Sequence, residues 1–445
     1  MNVANLIAKY DRAIPRYTSY PTAPHFSEAV DGAVYAEWLG AVPNDAALSL
    51  YLHVPFCASL CRFCACHTTV VNQPDVLAAY GATLLEEITL VATRLGGNRV
   101  VRHIHWGGGT PTQLAPATML SVMRHIRLHF TVAHDAEIAV EVDPRTLRAE
   151  SVAALAAMGV NRVSLGVQDF DPTVQTAINR HQSLAMTADC AERLRAAGIS
   201  AINLDLIYGL PHQTTPGVIE TATQALGLGP ARAAVFGYAH VPWMKKHQAL
   251  IPESVLPSTA DRFAQRQAIE DVFVAHGYAR VGLDHFARPD DALAQAADGA
   301  KLRRNFQGYT TDEASVLLGF GASSIGAMPH GYVQNHAAVP RWRDAVRAGV
   351  LPVARGIALT PDDRIRRNVI EQIMCRFDAD LTPLRQSAGF TDMIPDLREL
   401  EADGLVECDG DRVRVTDAGR PFVRAVAATF DAYLARGVAR HSVAV

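Results

Sequence analysis

Short apolar runs alternate with longer amphipathic stretches from about residue 47 onward. Runs of β-branched and aromatic residues favour strands, whereas apolar residues at every third or fourth position favour helices. The predicted strands are Ser49–Val54, His103–Trp106, Glu137–Val142, Arg162–Val167, Ala201–Ile207 and Ala234–Ala239. The predicted helices include Asp75–Leu95, Pro116–Phe130, Ala149–Ala157 and Leu184–Ala197. This alternation predicts an α/β fold with six strand–helix units around a parallel sheet.

The predicted strands are almost continuously apolar, which is typical of strands buried on both faces. A barrel and a doubly wound open sheet both bury strands in this way, so the pattern alone does not choose between them. In either architecture the catalytic groups lie at the carboxyl ends of the strands. We therefore expect the chemistry in the loops that follow the strands.

The segments on either side of this region have a different pattern. Residues 1–46 contain a Tyr- and Pro-rich run, Pro15–Pro21, which excludes a regular helix and predicts an ordered arm or lid. We assign residues 47–355 to the α/β unit with its extension and residues 356–445 to a mostly helical C-terminal domain. There a helix is expected from Thr360, and residues 397–419 outline the helix, strand, turn and strand of a winged helix.

A winged helix suggests nucleic-acid binding, but the charges argue against it. The helix before the wing reads DLRELEAD, with more acidic than basic residues. The chain has 41 basic and 45 acidic residues and a formal net charge of -4, so it lacks a general positive field for nucleic acid or anionic membrane. We predict no nucleic-acid partner and a structural or regulatory cap, with a redox-sensing regulator as the alternative of a different class.

Composition places the chain among ordinary globular proteins. Of 445 residues, 49% are hydrophobic and 19% are charged, which excludes a mainly disordered chain. The N-terminal residues lack an apolar signal segment, and no stretch approaches the roughly 18 to 20 apolar residues that cross a bilayer. We expect a cytoplasmic monomer without a membrane partner, and its cysteines should be reduced.

Four of the seven cysteines fall within ten positions. Cys57, Cys61 and Cys64 have the spacing C-x3-C-x2-C directly after the first predicted strand. Three thiolates on one loop can hold three corners of a cubane iron-sulfur cluster and leave one iron open to a small molecule. Zinc is the alternative, with His67 as a further ligand, although such sites usually have a second ligand pair downstream.

The cysteine spacing, with Phe63 before the third cysteine, resembles the signature of radical S-adenosylmethionine enzymes. A glycine-rich turn, Gly107–Thr112, follows the second predicted strand and is similar to the superfamily segment that receives the methionine amino group. Over its whole length the chain resembles the family of oxygen-independent coproporphyrinogen III oxidases (coproporphyrinogen dehydrogenases). The segments that carry this resemblance are PRYTSYPTA (15–23), HVPFCASLCRFCAC (53–66), HWGGGTPT (105–112), EVDPR (141–145), GVQDF (166–170), NR (179–180), DLIYGLP (205–211), DHFARPDD (284–291) and NFQGYTT (305–311).

The resemblance implies a partial (β/α)6 barrel, a 4Fe-4S cluster on Cys57, Cys61 and Cys64, and two molecules of S-adenosylmethionine. It implies that a 5'-deoxyadenosyl radical takes a hydrogen atom from the β-carbon of a propionate, after which an electron and carbon dioxide leave and a vinyl group remains. On two rings of coproporphyrinogen III this gives protoporphyrinogen IX. A C–H bond of this kind has no acidic proton for a general base, so the hard step belongs to the cofactor.

The resemblance also assigns contacts to single positions. Tyr51, Phe63, Gly108, Glu141 and Ile325 match contacts of the cluster-bound S-adenosylmethionine. The positions that match the surroundings of the second molecule are Gly109, Thr110, Gln168, Arg180, Asp205 and Ala239. Without the resemblance, Gln168 and Asp205 could equally be strand-end or capping groups, and Ala239 and Ile325 would be taken as core residues.

Cys66 is predicted not to bind iron, since a fourth protein ligand would close the open site. We expect it to act in catalysis near the second cofactor or the substrate. Together with the PRYTSYP arm it favours the oxidases over the alternative, a haem chaperone of the same family. An electron donor such as flavodoxin or ferredoxin and an electron acceptor are also expected. The candidate cations for the substrate's carboxylates are Arg16, Arg288, Lys301, Arg303 and Arg304.

Overall fold

The computed structural model describes residues 3–387 and 389–434, and one twelve-stranded sheet organises most of residues 48–358. The arm contains α1 (Val3–Tyr10) and α2 (Gly32–Gly40). The first part of the α/β unit contains β1 (Leu48–Val54), β2 (Phe56–Cys57), β3 (Thr69–Val70), α3 (Pro74–Leu95), β4 (Val100–Gly108), α4 (Pro116–His129), β5 (Thr131–Val142), α5 (Ala149–Met158), β6 (Arg162–Gln168), α6 (Pro172–Ala177), α7 (Leu184–Ala196), β7 (Ala201–Tyr208), α8 (Thr215–Gly227) and β8 (Arg232–Gly237).

The chain then continues through an extension and the C-terminal region. The extension contains α9 (Thr259–Ala275), β9 (Ala279–Val281), β10 (His285–Ala287), α10 (Ala292–Asp298), β11 (Arg303–Asn305), β12 (Gly308–Thr310), β13 (Val316–Phe320), β14 (Ile325–Met328), β15 (Gly331–Asn335), α11 (Val339–Arg347) and β16 (Val353–Ala358). The C-terminal region contains α12 (Pro361–Arg376), β17 (Asp378–Asp380), α13 (Phe390–Ala402), β18 (Val406–Asp409), β19 (Arg412–Val415) and α14 (Val423–Ala428).

The order of the strands identifies the architecture. β1, β4, β5, β6, β7 and β8 lie side by side in chain order, and all of them are parallel. A doubly wound sheet would reverse its strand order at a switch point, so the winding is that of a barrel. β13 adds a parallel strand beside β1, and antiparallel strands extend both edges without joining each other. The barrel is therefore partial, as predicted.

The bounds of most predicted elements agree with the observed ones to within two residues, and the differences that matter are the following. β4 and β5 begin earlier than predicted, at Val100 and Thr131. β8 ends at Gly237, so Tyr238 and Ala239 lie in the loop after the strand rather than inside it. Strands β9 to β16 were not predicted, because most of them are only three to five residues long and lack a clear period.

Two barrel strands, β6 and β7, bury only one face completely, which differs from the continuous burial we expected, whereas β1 is buried at six of its seven residues. Along β6 and β7, buried residues alternate with half-buried ones. The buried set, such as Val163 and Leu204, belongs to the main hydrophobic core. The half-buried set includes Ser164, Asn203 and Asp205, which line a cavity inside the barrel. The barrel interior thus contains a cavity whose wall presents polar side chains to a ligand.

The arm and the C-terminal region share a second hydrophobic core. Leu6, Ile7 and Tyr10 of α1 are buried in one cluster with apolar residues of α12, α13 and α14. The Tyr10 hydroxyl also donates to Asp403 at 2.6 Å. The domain boundaries at 46 and 356 stay a prediction, and residues 1–2 and 435–445 of the predicted arm and C-terminal domain lie outside the described residues.

The C-terminal region contains the predicted helix and wing. Thr360 and Asp363 cap the start of α12 reciprocally, each side chain bonded to the other's backbone amide. β18 and β19 form the predicted hairpin, which turns at Gly410 with φ of +58°. β17 adds a third strand beside β19, so the wing is a small three-stranded sheet.

Helix α3 is long and apolar enough to cross a membrane by length and composition, a property that the sequence analysis overlooked. Its residues Leu84, Ile88 and Val91 are at most 1% exposed and belong to the main core. The helix also holds the segment after β13, because Glu87 accepts hydrogen bonds from the Gly321 amide at 2.7 Å and the Asn335 side chain at 2.6 Å. We interpret α3 as a core helix.

Stability should depend on pH through Glu87. Burial raises the pKa of this carboxyl from 4.5 to about 7, so between these values the folded state binds the proton more tightly than the unfolded state. The contribution of Glu87 to the free energy of unfolding is most favourable below pH 4.5 and should fall by about 3 kcal/mol as the pH rises through 7. In Glu87→Gln this part of the slope should be absent, whatever the variant's absolute stability. Denaturant unfolding of both proteins at pH 5 to 8 measures the difference, and equal slopes would contradict the prediction.

Candidate active site

The three predicted ligand cysteines lie on a loop that begins at the carboxyl end of β1. β2 and β3 pair in parallel at its base, with Cys57 opposite Val70. The loop is also tied to the end of α6, because the Arg62 amide donates to the Ile178 carbonyl at 2.9 Å and the Asn179 side chain donates to the Leu60 carbonyl at 2.9 Å. These contacts fix the loop without using a thiol.

Hydrogen-bond donors from other strands point at the cysteine sulfurs. The Thr110 hydroxyl donates to Cys57 Sγ at 3.7 Å. Two guanidinium groups donate to Cys61 Sγ, from Arg145 at 3.4 Å and from Arg180 at 3.6 Å. Asp143 pairs with both arginines, at 2.7 Å and 3.4 Å. Positive charge and donors around a sulfur stabilise a thiolate ligand.

The sequence analysis missed Asp143 and Arg145. Both belong to the EVDPR segment, which was used only as a sign of family resemblance. Their position after β5 was the available signal, since the loops at the carboxyl ends of barrel strands carry functional groups. The contact of Arg145 with Cys61 crosses 84 positions of sequence and is visible only in the fold.

Cys66 lies beside the ligand loop and is exposed. Its thiol hydrogen-bonds to Cys64, which lowers the pKa of Cys64 to about 6 and raises the pKa of Cys66 itself. The backbone of this segment is held from the loop after β8, where Lys245 Nζ donates to the Cys66 carbonyl at 2.6 Å and His247 Nε2 bonds to the Cys64 carbonyl at 2.7 Å. Cys66 therefore lies beside a predicted cluster ligand.

The glycine-rich turn after β4 packs directly on the cysteine loop. The Gly109 amide donates to the Val54 carbonyl at 2.9 Å, and a Cβ at Gly109 would stand 2.6 Å from the Phe56 carbonyl oxygen. Gly108 has φ of +109°, and a Cβ there would stand 2.6 Å from the His53 ring. The turn needs glycine because the backbone of β2 and a histidine ring leave no room for a side chain.

Glu141, near the end of β5, connects this turn to the barrel interior. One carboxylate oxygen accepts from the Gly108 amide at 3.0 Å, and the other lies 3.1 Å from His105 Nε2. Neighbouring Asp205 accepts from Ser164 and Asn203, both at 2.8 Å, and burial raises its pKa to about 6. The two carboxylates can receive hydroxyl or ammonium donors of a ligand.

A cavity of ≈ 750 Å³, partly open to solvent, collects most of the predicted site residues. Glu141, Ser164 and Asp205 line both this cavity and a second one of ≈ 1020 Å³ inside the barrel. The predicted residues that line the first cavity are Cys57, Cys61, Phe63, Cys64, Cys66, Gly108, Gly109, Thr110, Glu141, Gln168, Arg180 and Asp205. A site that the sequence scatters over 149 positions is thus brought together at the carboxyl ends of the strands.

Three predicted site residues, Tyr51, Ala239 and Ile325, do not line this cavity. The Tyr51 hydroxyl bonds to His53 Nδ1 at 3.0 Å, and its ring stacks on His105, the partner of Glu141. The Ala239 carbonyl shares the Gln248 side chain with the Phe63 carbonyl, at 3.2 and 2.8 Å.

Ile325 starts β14. It is half-buried, and its backbone lies against Gly319 of β13, the register partner of Tyr51. Tyr51 and Ala239 therefore each adjoin the site through one intermediary, whereas Ile325 lies farther from it, beside the strand that pairs with β1.

The donor set fits an iron-sulfur cluster better than a single zinc ion. Among residues 3–387 and 389–434, no group of three His, Cys, Asp or Glu converges closely enough to hold one ion. A cubane instead offers a separate iron to each of three thiols. Such clusters use hydrogen bonds to sulfur. Here the Thr110 hydroxyl provides one to Cys57, and the guanidinium groups of Arg145 and Arg180 provide two to Cys61.

The five predicted substrate cations are not gathered at one place. Arg288 forms an exposed pair with Asp290 at 2.6 Å, and Arg303 lies 3.5 Å from Glu371. Lys301 is exposed. Arg16 and Arg304 line a common pocket at the ends of β7 and β8.

Comparison with known families agrees with the geometry. Residues 51–225 match the Radical SAM superfamily, and residues 359–422 match the HemN C-terminal domain. The first match contains the cysteine loop, the glycine-rich turn and the strand-end carboxylates. The second contains α12, α13 and the wing.

Proteins similar over their whole length share one name. An oxygen-independent coproporphyrinogen III oxidase of Bradyrhizobium diazoefficiens is 52% identical, covering 99% of this chain and 100% of its own. Its counterpart in Salmonella typhimurium is 40% identical, covering 96% and 95%. The solved structure of coproporphyrinogen III oxidase from Escherichia coli, described as a radical SAM enzyme, superposes with a TM-score of 0.89 at 39% identity, covering 95% of this chain and 100% of that one.

Proposed function

This chain belongs to the family of oxygen-independent coproporphyrinogen III oxidases, and from that premise we propose how its residues divide the work. The protein is a radical S-adenosylmethionine oxidoreductase with a 4Fe-4S cluster, and it decarboxylates two propionates of coproporphyrinogen III to vinyl groups. The observation that carries this is 52% identity over 99% of the chain to a relative of that name. The names of the full-length relatives also favour this function over the haem chaperone.

Cys57, Cys61 and Cys64 hold the cluster in this proposal. When bound, the cluster and S-adenosylmethionine supply a radical that removes a hydrogen atom from the propionate β-carbon; the substrate then loses one electron to an acceptor and releases carbon dioxide. Arg145 and Arg180 orient Cys61 and compensate its charge. Asp143 holds both guanidinium groups in place.

The remaining site residues bind and orient S-adenosylmethionine. Glu141 receives donors of the cluster-bound molecule, and Phe63 and Gly108 contact it from the wall of the cavity. Tyr51 and Ile325 are assigned to its wider surroundings. The second molecule is assigned to Gly109, Thr110, Gln168, Arg180, Asp205 and Ala239. What supports these assignments is that most of the residues line one cavity, and that Glu141 and Asp205 also line the cavity inside the barrel.

Cys66 is assigned a catalytic role without iron binding. This assignment is supported by the position of Cys66 beside Cys64 in the wall of the cavity, from which Cys66 can reach a ligand. The protein works as a monomer in the cytoplasm, where a reducing compartment keeps the cysteines as thiols. A flavodoxin- or ferredoxin-like donor reduces the cluster, and neither nucleic acid nor membrane takes part.

An anaerobic assay tests the function. Reconstituted protein, reductant and S-adenosylmethionine are mixed with coproporphyrinogen III, and mass spectrometry follows the products. We expect 5'-deoxyadenosine and a porphyrinogen that has lost two carboxyl groups. Tight haem binding without deoxyadenosine would instead indicate the chaperone, and deoxyadenosine without decarboxylation would reject this substrate.

Arg145 should raise the reduction potential of the cluster. A positive charge 3.4 Å from a ligand sulfur favours the reduced, more negative state, and its removal leaves Asp143 with Arg180 as its remaining partner. In Arg145→Leu the midpoint potential should become more negative, as measured by a potentiometric titration followed by electron paramagnetic resonance. Arg148→Leu, an exposed arginine three positions away, is the matched control and should leave the potential unchanged.

A further inference from the structure

A pocket of ≈ 600 Å³ lies between the arm, the barrel and the C-terminal region. We call it the arginine pocket, because it is lined by Arg16, Arg262, Arg266, Arg304 and Arg424. These side chains come from the arm, α9, β11 and α14, so guanidinium groups from distant parts of the chain converge on the arginine pocket.

Positive charge in the arginine pocket exceeds negative charge. Asp284 is the one carboxylate that lines it among the described residues. Although burial opposes ionisation, the hydrogen bond from His285 and the charges of Arg304 and Arg16 lower the pKa of Asp284 to about 2, so this carboxylate is always charged. Arg266 has a partner of its own in Glu270 at 3.4 Å. Arg16, Arg262 and Arg304 therefore line the pocket together with this single carboxylate.

The arginines are held in position by neutral groups. Arg16 donates to the Gly237 carbonyl at 2.9 Å, Arg262 to the Tyr238 carbonyl at 3.1 Å, and Arg424 to the Pro15 carbonyl at 3.0 Å. Burial, and next the charge of Arg16, lower the pKa of Arg424 to about 9. A guanidinium group that donates to a neutral carbonyl keeps its positive charge and further N–H donors for an anion.

Donor groups in the arginine pocket are also unused. Nε of Arg304 and Nε of Arg262 are inaccessible to solvent and have no hydrogen-bond partner among the described residues. The Arg304 guanidinium is fixed over the ring of Tyr309, 4.4 Å from its centre. Planar guanidinium groups held in this way are suited to binding a carboxylate through two parallel hydrogen bonds.

The arginine pocket lies at the same end of the barrel as the cysteine cavity. Tyr208 and Gly237, the last residues of β7 and β8, form part of its wall. Tyr238, which also lines it, precedes Ala239, whose carbonyl shares Gln248 with the Phe63 carbonyl of the cysteine loop. The backbone of residues 237–239 therefore links the wall of the arginine pocket to the cysteine loop.

We propose that the arginine pocket binds a propionate carboxylate of the tetrapyrrole on a ring that is not reacting. This inference rests on the proposed function, since it takes the substrate to carry four propionates. When one propionate is placed at the cysteine cavity, the others still need cations. The arginine pocket then sets which ring reaches the cavity, by holding a different one.

Binding measurements on the reconstituted holoenzyme with S-adenosylmethionine test the proposal. The ligands are coproporphyrin III and its tetramethyl ester, which lacks the charges, in the same mild-detergent buffer. Arg304→Gln and Arg262→Gln should each weaken the binding of coproporphyrin III roughly 10- to 100-fold, as expected when a hydrogen bond between charged groups is lost. The binding of the ester should be unaffected. Arg343→Gln, at an exposed pair with Asp344, is the matched control and should change neither affinity.

Every other outcome contradicts the proposal. An equal loss for both ligands would show a structural role, and unchanged affinity would show no role. Arginine-dependent binding of inorganic phosphate without an effect on coproporphyrin III would show a general anion site. Thermal unfolding checks that each variant is folded. If Arg304→Gln does not fold, it is replaced by Arg304→Lys, which keeps the positive charge but loses the two parallel N–H donors of the guanidinium group.

The proposed function is tested separately in the same samples. Deoxyadenosine formation with reductant in the absence of tetrapyrrole depends on the cysteine cavity alone and should match wild type in the arginine variants. If wild type forms none, the proposed function fails, while the ligand comparison still decides the role of the arginine pocket.

Discussion

Replacing Cys61 with serine should abolish cluster binding and turnover. Its sulfur is the one that receives two guanidinium donors, so its loss removes a ligand and leaves Arg145 and Arg180 facing a neutral hydroxyl. Loss of a group that only hydrogen-bonds to a metal ligand already lowers metal affinity or activity about 10- to 100-fold. We therefore expect less than roughly 1% of wild-type decarboxylation and less than half of the bound iron, measured by iron analysis and the visible absorption of the anaerobic protein.

Two other cysteines are controls for this result. Cys66→Ser should keep the full iron content and lose turnover, because we assign Cys66 a catalytic role without iron binding. Cys408→Ser, in β18 of the C-terminal wing, should keep both the iron content and the turnover of the wild type. A Cys66→Ser protein with full turnover would remove the catalytic role, and one without iron would make Cys66 a ligand.

Glu141→Gln should weaken S-adenosylmethionine binding by roughly 10- to 100-fold, the range for hydrogen bonds to a charged group. The amide can still accept from the Gly108 backbone at one oxygen, so the turn is preserved, but the charge that would bind hydroxyl or ammonium donors is gone. Equilibrium dialysis of the reconstituted protein gives the dissociation constant. Deoxyadenosine formation at saturating S-adenosylmethionine should recover in part.

Glu137→Gln is the matched control for this experiment. Glu137 lies four residues earlier on the same face of β5, and its carboxylate is paired with Arg162 at 2.9 Å. Its replacement should lower stability and leave the affinity for S-adenosylmethionine unchanged. Equal losses of affinity in the two variants would mean that Glu141 acts only through the fold.

The parts of the site that could be predicted are those with a local pattern. Cys57, Cys61 and Cys64 have a fixed spacing, and Gly108 and Gly109 follow a strand of the expected period. Because strand ends meet at one edge of a parallel barrel, these elements could be placed together before the fold was known. Winding into a barrel could not be read from strand periodicity, and came from the family resemblance.

The parts that could not be predicted depend on long-range contacts. Asp143 and Arg145 gain their role only because β5 ends opposite Cys61. Arg16 and Arg304 were candidates on charge alone, whereas Arg262 and Arg424 were not considered, since nothing local separates them from surface arginines. β13 has only five residues, and pairing with β1 defines it better than its own sequence does.

The second hydrophobic core joins the beginning of the chain to its end, and this has a consequence for synthesis on the ribosome. Leu6, Ile7 and Tyr10 emerge first, but their partners in α12, α13 and α14 follow more than 350 residues later. At about 5 to 20 residues per second, these apolar side chains wait roughly 20 to 80 s for their core. The barrel can fold during that interval, whereas α1 stays exposed and is a natural client for chaperones that bind nascent chains.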